Sequence, residues 1–593
     1  MSGTLISALV WVPKGRAALK PKRYNLDEDE IQRVGKLGGP GALEKLQEEM
    51  AEVDLSDGEQ NQSEGSDDWE DLDSEDDSAA ESKDDEDGQT DDDGDVEMKE
   101  DPEPSDPNDL SAFKLDKYDE EDSKGVAMGA FANIKGLAFY KDNNDDPYIT
   151  LKEDDDDEEE ELELLPTDQM LISARTTSDL SSIDFHVYDD PNTSLTVHHD
   201  LLLPAFPLCV EWLDFPSGSS THSGNFIAVG GFDPSIEIWD ADLIDGLYPQ
   251  AILGPSPMME KPTAKALGTG KKKRKQIVEP AAQDEYHTRP VLGLSWTPHH
   301  RNLLLSCSAD ATVKLWDLTR ESPMTALRSW NGVHQGEERV QAVEWNKNIG
   351  SGLDKAVLSA GERTVKVWDT RSVEDWIGVK LSSDVECVKW DPWSSTSFYV
   401  SLENGLILAY DSRTLSSSPG SLSSAQPKFT ISAHDSAASA LDVSPHIPGL
   451  LLTGGQDKLV KLWNILEEET EGSNVAVTNV PNSETVKDPS SQTKKGKKNS
   501  TKIQGRQREI SMVTSRDLGV GKVFTARFSP DPDTPLTLAA AGSRAVVQIW
   551  DAASNPGARK AFGERLSKMG RRLGEVKKGG GVVGVVDESD EDD

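Results

Sequence analysis

The chain has 593 residues and a formal net charge of −47, from 61 Lys+Arg against 108 Asp+Glu. Most of that charge sits in two tracts: Asp54–Asp122 holds 32 acidic and 4 basic residues, and Glu153–Glu163 holds 10 acidic and none basic. Three cysteines without paired spacing exclude a disulfide framework and a Cys-rich metal site, and no apolar run is long enough to span a bilayer. The run Leu5–Val12 is too short for a signal-peptide core with a cleavage site, so a soluble intracellular protein with reduced thiols is expected.

Along the chain, the first β-type run is SALVWVP at Ser7–Pro13, and residues 1–14 are read as the first strand of the fold. Residues 25–165 then read as an acidic, mostly disordered insertion, because too few apolar groups are present to offset the entropy of ordering and like charges repel. Within it, 110–151 resembles a docking segment. Phe113, Leu115 and Tyr118 stand among acids, where a purely solvated spacer has no need of them. The acidic tract has two readings, a solvated spacer or a polyanion that shields a basic client such as a ribosomal protein or histone. Ser74, Thr90 and Ser589 each have an acid at the third following position, the preference of casein-kinase-2-like enzymes, and are candidate phosphorylation sites.

From 168 to 555 a repeat takes over. Strand-like runs end in Trp-Asp at Ile236–Asp240, Val313–Asp317, Val365–Asp369 and Val547–Asp551, with weaker versions at Val460–Asn464, Ile407–Asp411 and Phe185–Asp189. Each follows an earlier strand with its own aromatic signature: LCVEWLDF at Leu208, LGLSWTP at Leu292, QAVEWN at Gln341, ECVKWDP at Glu386, ALDVSP at Ala440 and TARFSP at Thr525. The seventh such strand is Ser7–Pro13, so the first unit is expected to begin there and resume at Met170–Tyr188; the alternative has Leu137–Leu151 supplying those strands and Ser7–Pro13 as a separate closing strand. A four-stranded antiparallel unit cannot bury both faces alone, so neighbours stack radially with each Trp between them. The fold class is all-β, a seven-bladed WD40 β-propeller with long disordered acidic and basic insertions.

Two units share a strict spacing. His287 and Trp316 are 29 residues apart, as are His434 and Trp463; an Asp lies six before each Trp (Asp310, Asp457) and a hydroxyl ten before it (Ser306, Thr453). These groups match the hydrogen-bonded His–Ser/Thr–Asp–Trp tetrad of the WD40 family. A Ser/His/Asp catalytic set is the competing reading, disfavoured because the set recurs and each copy ends on a Trp. Glu362, Asn404 and Arg544 replace the turn Asp elsewhere, which puts tetrads in those blades in doubt.

Basic segments interrupt the repeat at about 254–283, with Lys271, Lys272, Lys273, Arg274 and Lys275 in succession, and at about 467–507, with KKGKK at Lys494–Lys498. Both are expected after third strands. Five cations on a loop suit an importin groove or a phosphate backbone, so Lys271–Lys275 is the candidate nuclear import signal; a solvated charge run is the bland reading. Residues 556–593 read as a tail, basic and then acidic, with Leu566–Leu573 as a short helix limited by Gly570. WDTR at Trp368–Arg371 fits, and YDSR at Tyr410–Arg413 partly fits, the box of cullin-4 substrate receptors.

The recurrence of Trp11, Trp212, Trp296, Trp345 and Trp390 in successive first strands, with LDKYDEE at Leu115–Glu121, NDDPYITL at Asn144–Leu151 and VHHDLLLPAFPLCVEW at Val197–Trp212, resembles the periodic tryptophan protein 1 family over essentially the whole chain. The resemblance implies a nuclear, mainly nucleolar scaffold in large-subunit rRNA processing and pre-ribosome assembly. The implied partners are ribosome assembly factors, ribosomal proteins or histones, and pre-ribosomal RNA held through basic segments. A chromatin or histone-binding factor supporting ribosomal-RNA transcription is the alternative. No nucleotide-binding, nucleophile-elbow, kinase or metal motif is present, so no enzyme, cofactor, small-molecule substrate or membrane partner is expected.

Overall fold

In the computed structural model every Trp-Asp run is the third of four strands in an antiparallel sheet, and seven such sheets form the blades of a propeller. The structure describes residues 4–25, 28–37, 162–255, 281–468, 507–571 and 573–585, apart from short gaps at 179, 219–222, 322–323, 335–338, 349–351, 416–419, 424 and 575–577. Blade 1 is Leu5–Trp11, Gln169–Thr176, Ser181–Asp189 and Ser194–Leu203. Its inner strand therefore comes from the N-terminus, paired antiparallel with Gln169–Thr176 from Leu5↔Thr176 to Trp11↔Leu171. The alternative source of blade strands, Leu137–Leu151, lies outside the described residues.

Ring closure follows from that pairing. Ile6, Leu9 and Trp11 pack with Leu171 and Tyr188 of their own blade and with Ala539, Ala541 and Ile549 of blade 7. Polar ties cross the same seam: Trp11 Nε1 donates to the Arg527 carbonyl at 3.3 Å, and Gln169 joins Ser529 at 2.9 Å and Asp531 at 3.2 Å. On the other side Ser7 Oγ donates to the Pro207 carbonyl of blade 2 at 2.7 Å.

Blades 2 and 3 begin at Pro207–Leu213 and Val291–Trp296; blades 4, 5 and 6 at Ala342–Trp345, Val385–Asp391 and Ala440–Val443. Blade 4 gains a fifth strand, Ser421–Ser423, parallel to Ser372–Lys380. The turns between second and third strands share one conformation in blades 3, 5, 6 and 7. Ala311, Lys458 and Ala545 have φ of 61°, 70° and 56°, and Gly405 has 79° at the matching place. The side chain one residue earlier secures the turn: Asp310 accepts from Thr312 N at 3.0 Å and Asp457 from Leu459 N at 3.2 Å. In blade 5 Asn404 does the same for Leu406 N at 3.3 Å, and a Cβ on Gly405 would lie 2.0 Å from the His434 carbonyl oxygen.

Three sequence expectations are corrected. First, residues 556–593 are not simply a tail. Pro556–Lys568 is a helix capped by Asn555, with Ala558, Phe562 and Leu566 buried on one face, and Val582–Gly584 is the fourth strand of blade 7. The i, i+4 spacing of those apolar residues was hidden by the cations around them. The helix stops before Gly570, earlier than Leu573. Second, the edges of the 25–165 insertion are ordered. Glu28–Leu37 is a helix with Val34 and Leu37 buried, and its Arg33 donates to the Pro249 and Gln250 carbonyls at 2.8 and 3.1 Å. Third, the first basic interruption follows a fourth strand, Ala251–Leu253; the second does separate third and fourth strands, Leu459–Glu468 and Gln507–Asp517.

Candidate functional site

The tetrad residues come together as spaced. In blade 3, Trp316 Nε1 donates to Ser306 Oγ at 2.8 Å, Ser306 bonds His287 Nε2 at 2.7 Å, and His287 Nδ1 meets Asp310 at 3.0 Å. In blade 6 the corresponding distances for Trp463, Thr453, His434 and Asp457 are 2.9, 2.9 and 2.9 Å. A third set, missed in the sequence, lies in blade 4. His334 bonds Ser359 at 2.9 Å and Thr364 at 2.6 Å, and Trp368 donates to Ser359 at 2.9 Å. His334 and Trp368 are 34 residues apart, not 29, and Thr364 stands in for the Asp. The usable signal was the hydroxyl nine residues before a Trp-Asp Trp.

The order Ser, His, Asp in blade 3 resembles an activated nucleophile, and burial decides against it. Ser306 and His287 are each 0% exposed, so no substrate reaches the hydroxyl. Burial lowers the His287 pKa despite Asp310, and the hydrogen bonds of His287, Thr312 and Thr288 hold Asp310 at about 2 although burial opposes them. Burial pushes the Cys209, Cys307 and Cys387 thiols upward, which disfavours the reactive thiolate. Among the described residues no group of His, Cys, Asp and Glu could hold a metal ion.

What faces the axis of the ring is a charged belt with a repeat of its own. The residue before the first-strand aromatic, a place held by Val443 in blade 6, is Val10, Glu211, Ser295, Glu344, Lys389, Asp442 or Arg527 in blades 1 to 7. Four of these accept the backbone N–H of the next blade's aromatic: Glu211 from Trp296 at 3.2 Å, Ser295 from Trp345 at 3.0 Å, Glu344 from Trp390 at 2.5 Å and Asp442 from Phe528 at 2.9 Å. The periodic tryptophans are thus stitched to their neighbours at the backbone as well as packed between them. Cations neutralise the acids: Lys347 lies 3.1 Å from Glu211, Lys389 3.1 Å from Glu344 and Arg527 3.9 Å from Asp442. Burial raises the Glu211 pKa, but Lys347, Lys389 and Arg527 outweigh it and hold the carboxyl below its ordinary value. The channel these strands line has a volume of about 210 Å³. That is below the roughly 300–1,000 Å³ of small-molecule sites, and the one hydroxyl of the belt, Ser295, is buried. The axis is a seam of paired charges that ties the blades together.

A larger hollow, about 360 Å³, opens between blades 5 and 6 beside Trp393. The basic residues 559–571 are partly committed internally. Arg559 donates to the Ala553 and Gly574 carbonyls at 2.9 and 2.6 Å, and Arg571 Nη1 lies 3.1 Å from His446 Nδ1. Arg371 and Arg413 fold back on the Asp of their own strands, each with one contact of 2.6 Å, a packing role for the Arg of WDTR and YDSR. Lys271–Lys275, Phe113, Leu115, Tyr118, Ser74, Thr90 and Ser589 lie outside the described residues.

Comparison with known proteins agrees with this geometry. The family model "WD domain, G-beta repeat" matches residues 280–317 and 425–464, the two segments carrying complete tetrads. An uncharacterized WD repeat-containing protein of Schizosaccharomyces pombe is 36% identical over 95% of this chain and 92% of its own length. Periodic tryptophan protein 1 of Saccharomyces cerevisiae is 30% identical over 96% of this chain and 92% of its own, and the Drosophila melanogaster periodic tryptophan protein 1 homolog is 28% identical over 79% and 85%. With the stitched tryptophans of the belt and this near-complete coverage, the chain belongs to the periodic tryptophan protein 1 family of WD40-repeat proteins.

Proposed function

We propose that the protein is a nuclear, mainly nucleolar scaffold that brings proteins and RNA together during large-subunit rRNA processing and pre-ribosome assembly. The observation that carries this reading is family membership over nearly the full chain, combined with a propeller whose Ser/Thr–His–Asp sets are buried in its walls. A fold of this kind acts by what it holds. The propeller supplies protein-binding faces, while Lys271–Lys275 and Lys494–Lys498 supply phosphate or importin contacts with little sequence preference. Acid-flanked Ser74, Thr90 and Ser589 add charge to the acidic arms when phosphorylated, and Phe113, Leu115 and Tyr118 give one arm an apolar docking point.

The test is affinity purification of the tagged chain at native expression, with and without RNase. Ribosome assembly factors and precursor RNA should co-purify, and RNase should release the RNA and part of the proteins. Recovery of nucleosomes instead, unaffected by RNase, would move the protein to the chromatin reading. Changing Lys271–Lys275 to alanines should make a fluorescent fusion leak into the cytoplasm; nuclear accumulation unchanged after loss of both basic runs would contradict the import assignment.

A further inference from the structure

The seam between blades 5 and 6 lacks the stitch found at four others. Lys389 occupies the acceptor position there and cannot receive a backbone N–H. Trp393 bridges the gap instead: its Nε1 donates to the Ser444 carbonyl of blade 6 at 2.9 Å. The residue is nevertheless 43% exposed and belongs to none of the hydrophobic core clusters. Beside it lies the 360 Å³ cleft, with Tyr399 and Phe429 in its wall and three cations, Arg413, Lys428 and Arg565, against one acid, Asp391, in its lining.

Those three cations differ in how far they are neutralised. Arg413 is bound by both oxygens of Asp411, at 3.0 and 2.6 Å. Lys428 bonds Ser397 at 3.0 Å and stands 3.9 Å from Asp411. Arg565, delivered by the C-terminal helix, donates to the Pro448 carbonyl at 2.7 Å and to Asn464 Oδ1, both neutral oxygens. Among the described residues it makes no ion pair, so a guanidinium charge remains at the rim of an aromatic-walled cleft. A carboxylate placed there gains a charge-assisted hydrogen bond without first displacing another anion. An aromatic side chain gains the exposed indole face.

We propose that this cleft binds an acidic peptide segment of a partner protein, with an aromatic side chain against Trp393 and Phe429 and a carboxylate paired with Arg565. The occupant is argued from charge complementarity and from the exposed indole, and the reading goes beyond the ribosomal assignment without depending on it.

Fluorescence anisotropy of the full chain tests this with a labelled peptide of six glutamates around one central phenylalanine. Saturable binding is expected, weakened at least ~10-fold by Trp393→Ala and separately by Arg565→Gln, and restored by Trp393→Phe. Thermal melts identify any variant that unfolds; Arg565→Gln then stands as the independent test. A probe with glycine for phenylalanine should bind at least ~10-fold more weakly. Equal binding of the two probes, or affinity untouched by either substitution, overturns the proposal, because the basic segments alone would then account for it. Binding seen only after Phe113→Ala and Tyr118→Ala also overturns it, since the cleft would then serve the chain's own acidic arm.

Discussion

In blade 3 the donor chain from Trp316 through Ser306 and His287 to Asp310 spends every proton inside the wall of the propeller. Removing its last acceptor leaves the Thr288 and Thr312 backbone N–H groups without their acceptor, and leaves His287 Nδ1 and Thr312 Oγ1 with only each other. Asp310→Ala should therefore cost about 1–3 kcal/mol, read as a lower denaturation midpoint in urea. Asp457→Ala should cost less, because the Asp457 side chain is 14% exposed against 1% for Asp310 and water can replace it. Partner binding at low temperature should survive both. Loss of binding in a fully stable Asp310→Ala variant would make the tetrad a working site.

The buried histidines set a pH dependence whose sign is fixed. Burial first, then Arg175 for His186, Lys366 for His334 and His198 for His199, lowers their pKa values to about 4, 3 and 3. Unfolded histidine takes up a proton near 6.5, so below that pH the unfolded chain binds protons that the folded chain refuses, and stability falls. At ~1.4 kcal/mol per pKa unit, each loses about 2 kcal/mol by pH 5. Asp310 works lower down: with a folded value of about 2, its contribution is complete above the ordinary carboxylate value and is lost only as the pH falls toward 2. The melting temperature should drop steadily between pH 6.5 and 4.5, and His334→Asn should flatten that slope. A flat profile across this range would show that the three imidazoles titrate freely.

At the scale of elements, the N-terminal strand is the piece on which closure depends. Ile6, Leu9 and Trp11 are each 5% exposed or less, and burying such side chains is worth about 1.5–3 kcal/mol apiece, together a large part of the ~5–15 kcal/mol that stabilises a typical domain. Deleting residues 1–14 should leave an unpaired edge on Gln169–Thr176 and give aggregation or a much lower melt. Deleting residues 56–109, which are poor in apolar side chains, should leave the melt unchanged. Equal melts for the two deletions would contradict the strand's role.

The same elements show what the sequence made legible. Trp-Asp endings and a 29-residue His–Trp spacing identified strands and two tetrads because period-2 alternation and turn chemistry are local. The blade 4 set escaped because its loop is longer and Thr364 replaces the carboxylate. Val582–Gly584 escaped because three residues after a glycine run carry no strand signal; only the open fourth position beside Val547–Asp551 gives them one. The belt was legible in pattern but not in meaning: nothing local in Glu344 shows that its partner is the backbone of Trp390, 46 residues on. Trp393 lies outside the periodic set, in the β-turn that follows Trp390, and only the structure shows it exposed.

For the molecule as a whole, charge and chemistry are segregated. The folded wall buries its tetrads and pairs the acids of its axial belt, whereas the acidic arms and basic runs concentrate charge in separate stretches of sequence. Such a division suits a scaffold that meets nucleic acid and basic or acidic proteins at different places. It also states what losing the protein should do. Rapid depletion in cells, followed by pulse labelling of rRNA and gradient sedimentation, measures this most directly. The account expects large-subunit rRNA precursors to accumulate and free large subunits to fall within one generation, while small-subunit rRNA matures normally. Normal maturation of both subunits after complete depletion, or an equal fall in all rRNA synthesis, would contradict the assembly role.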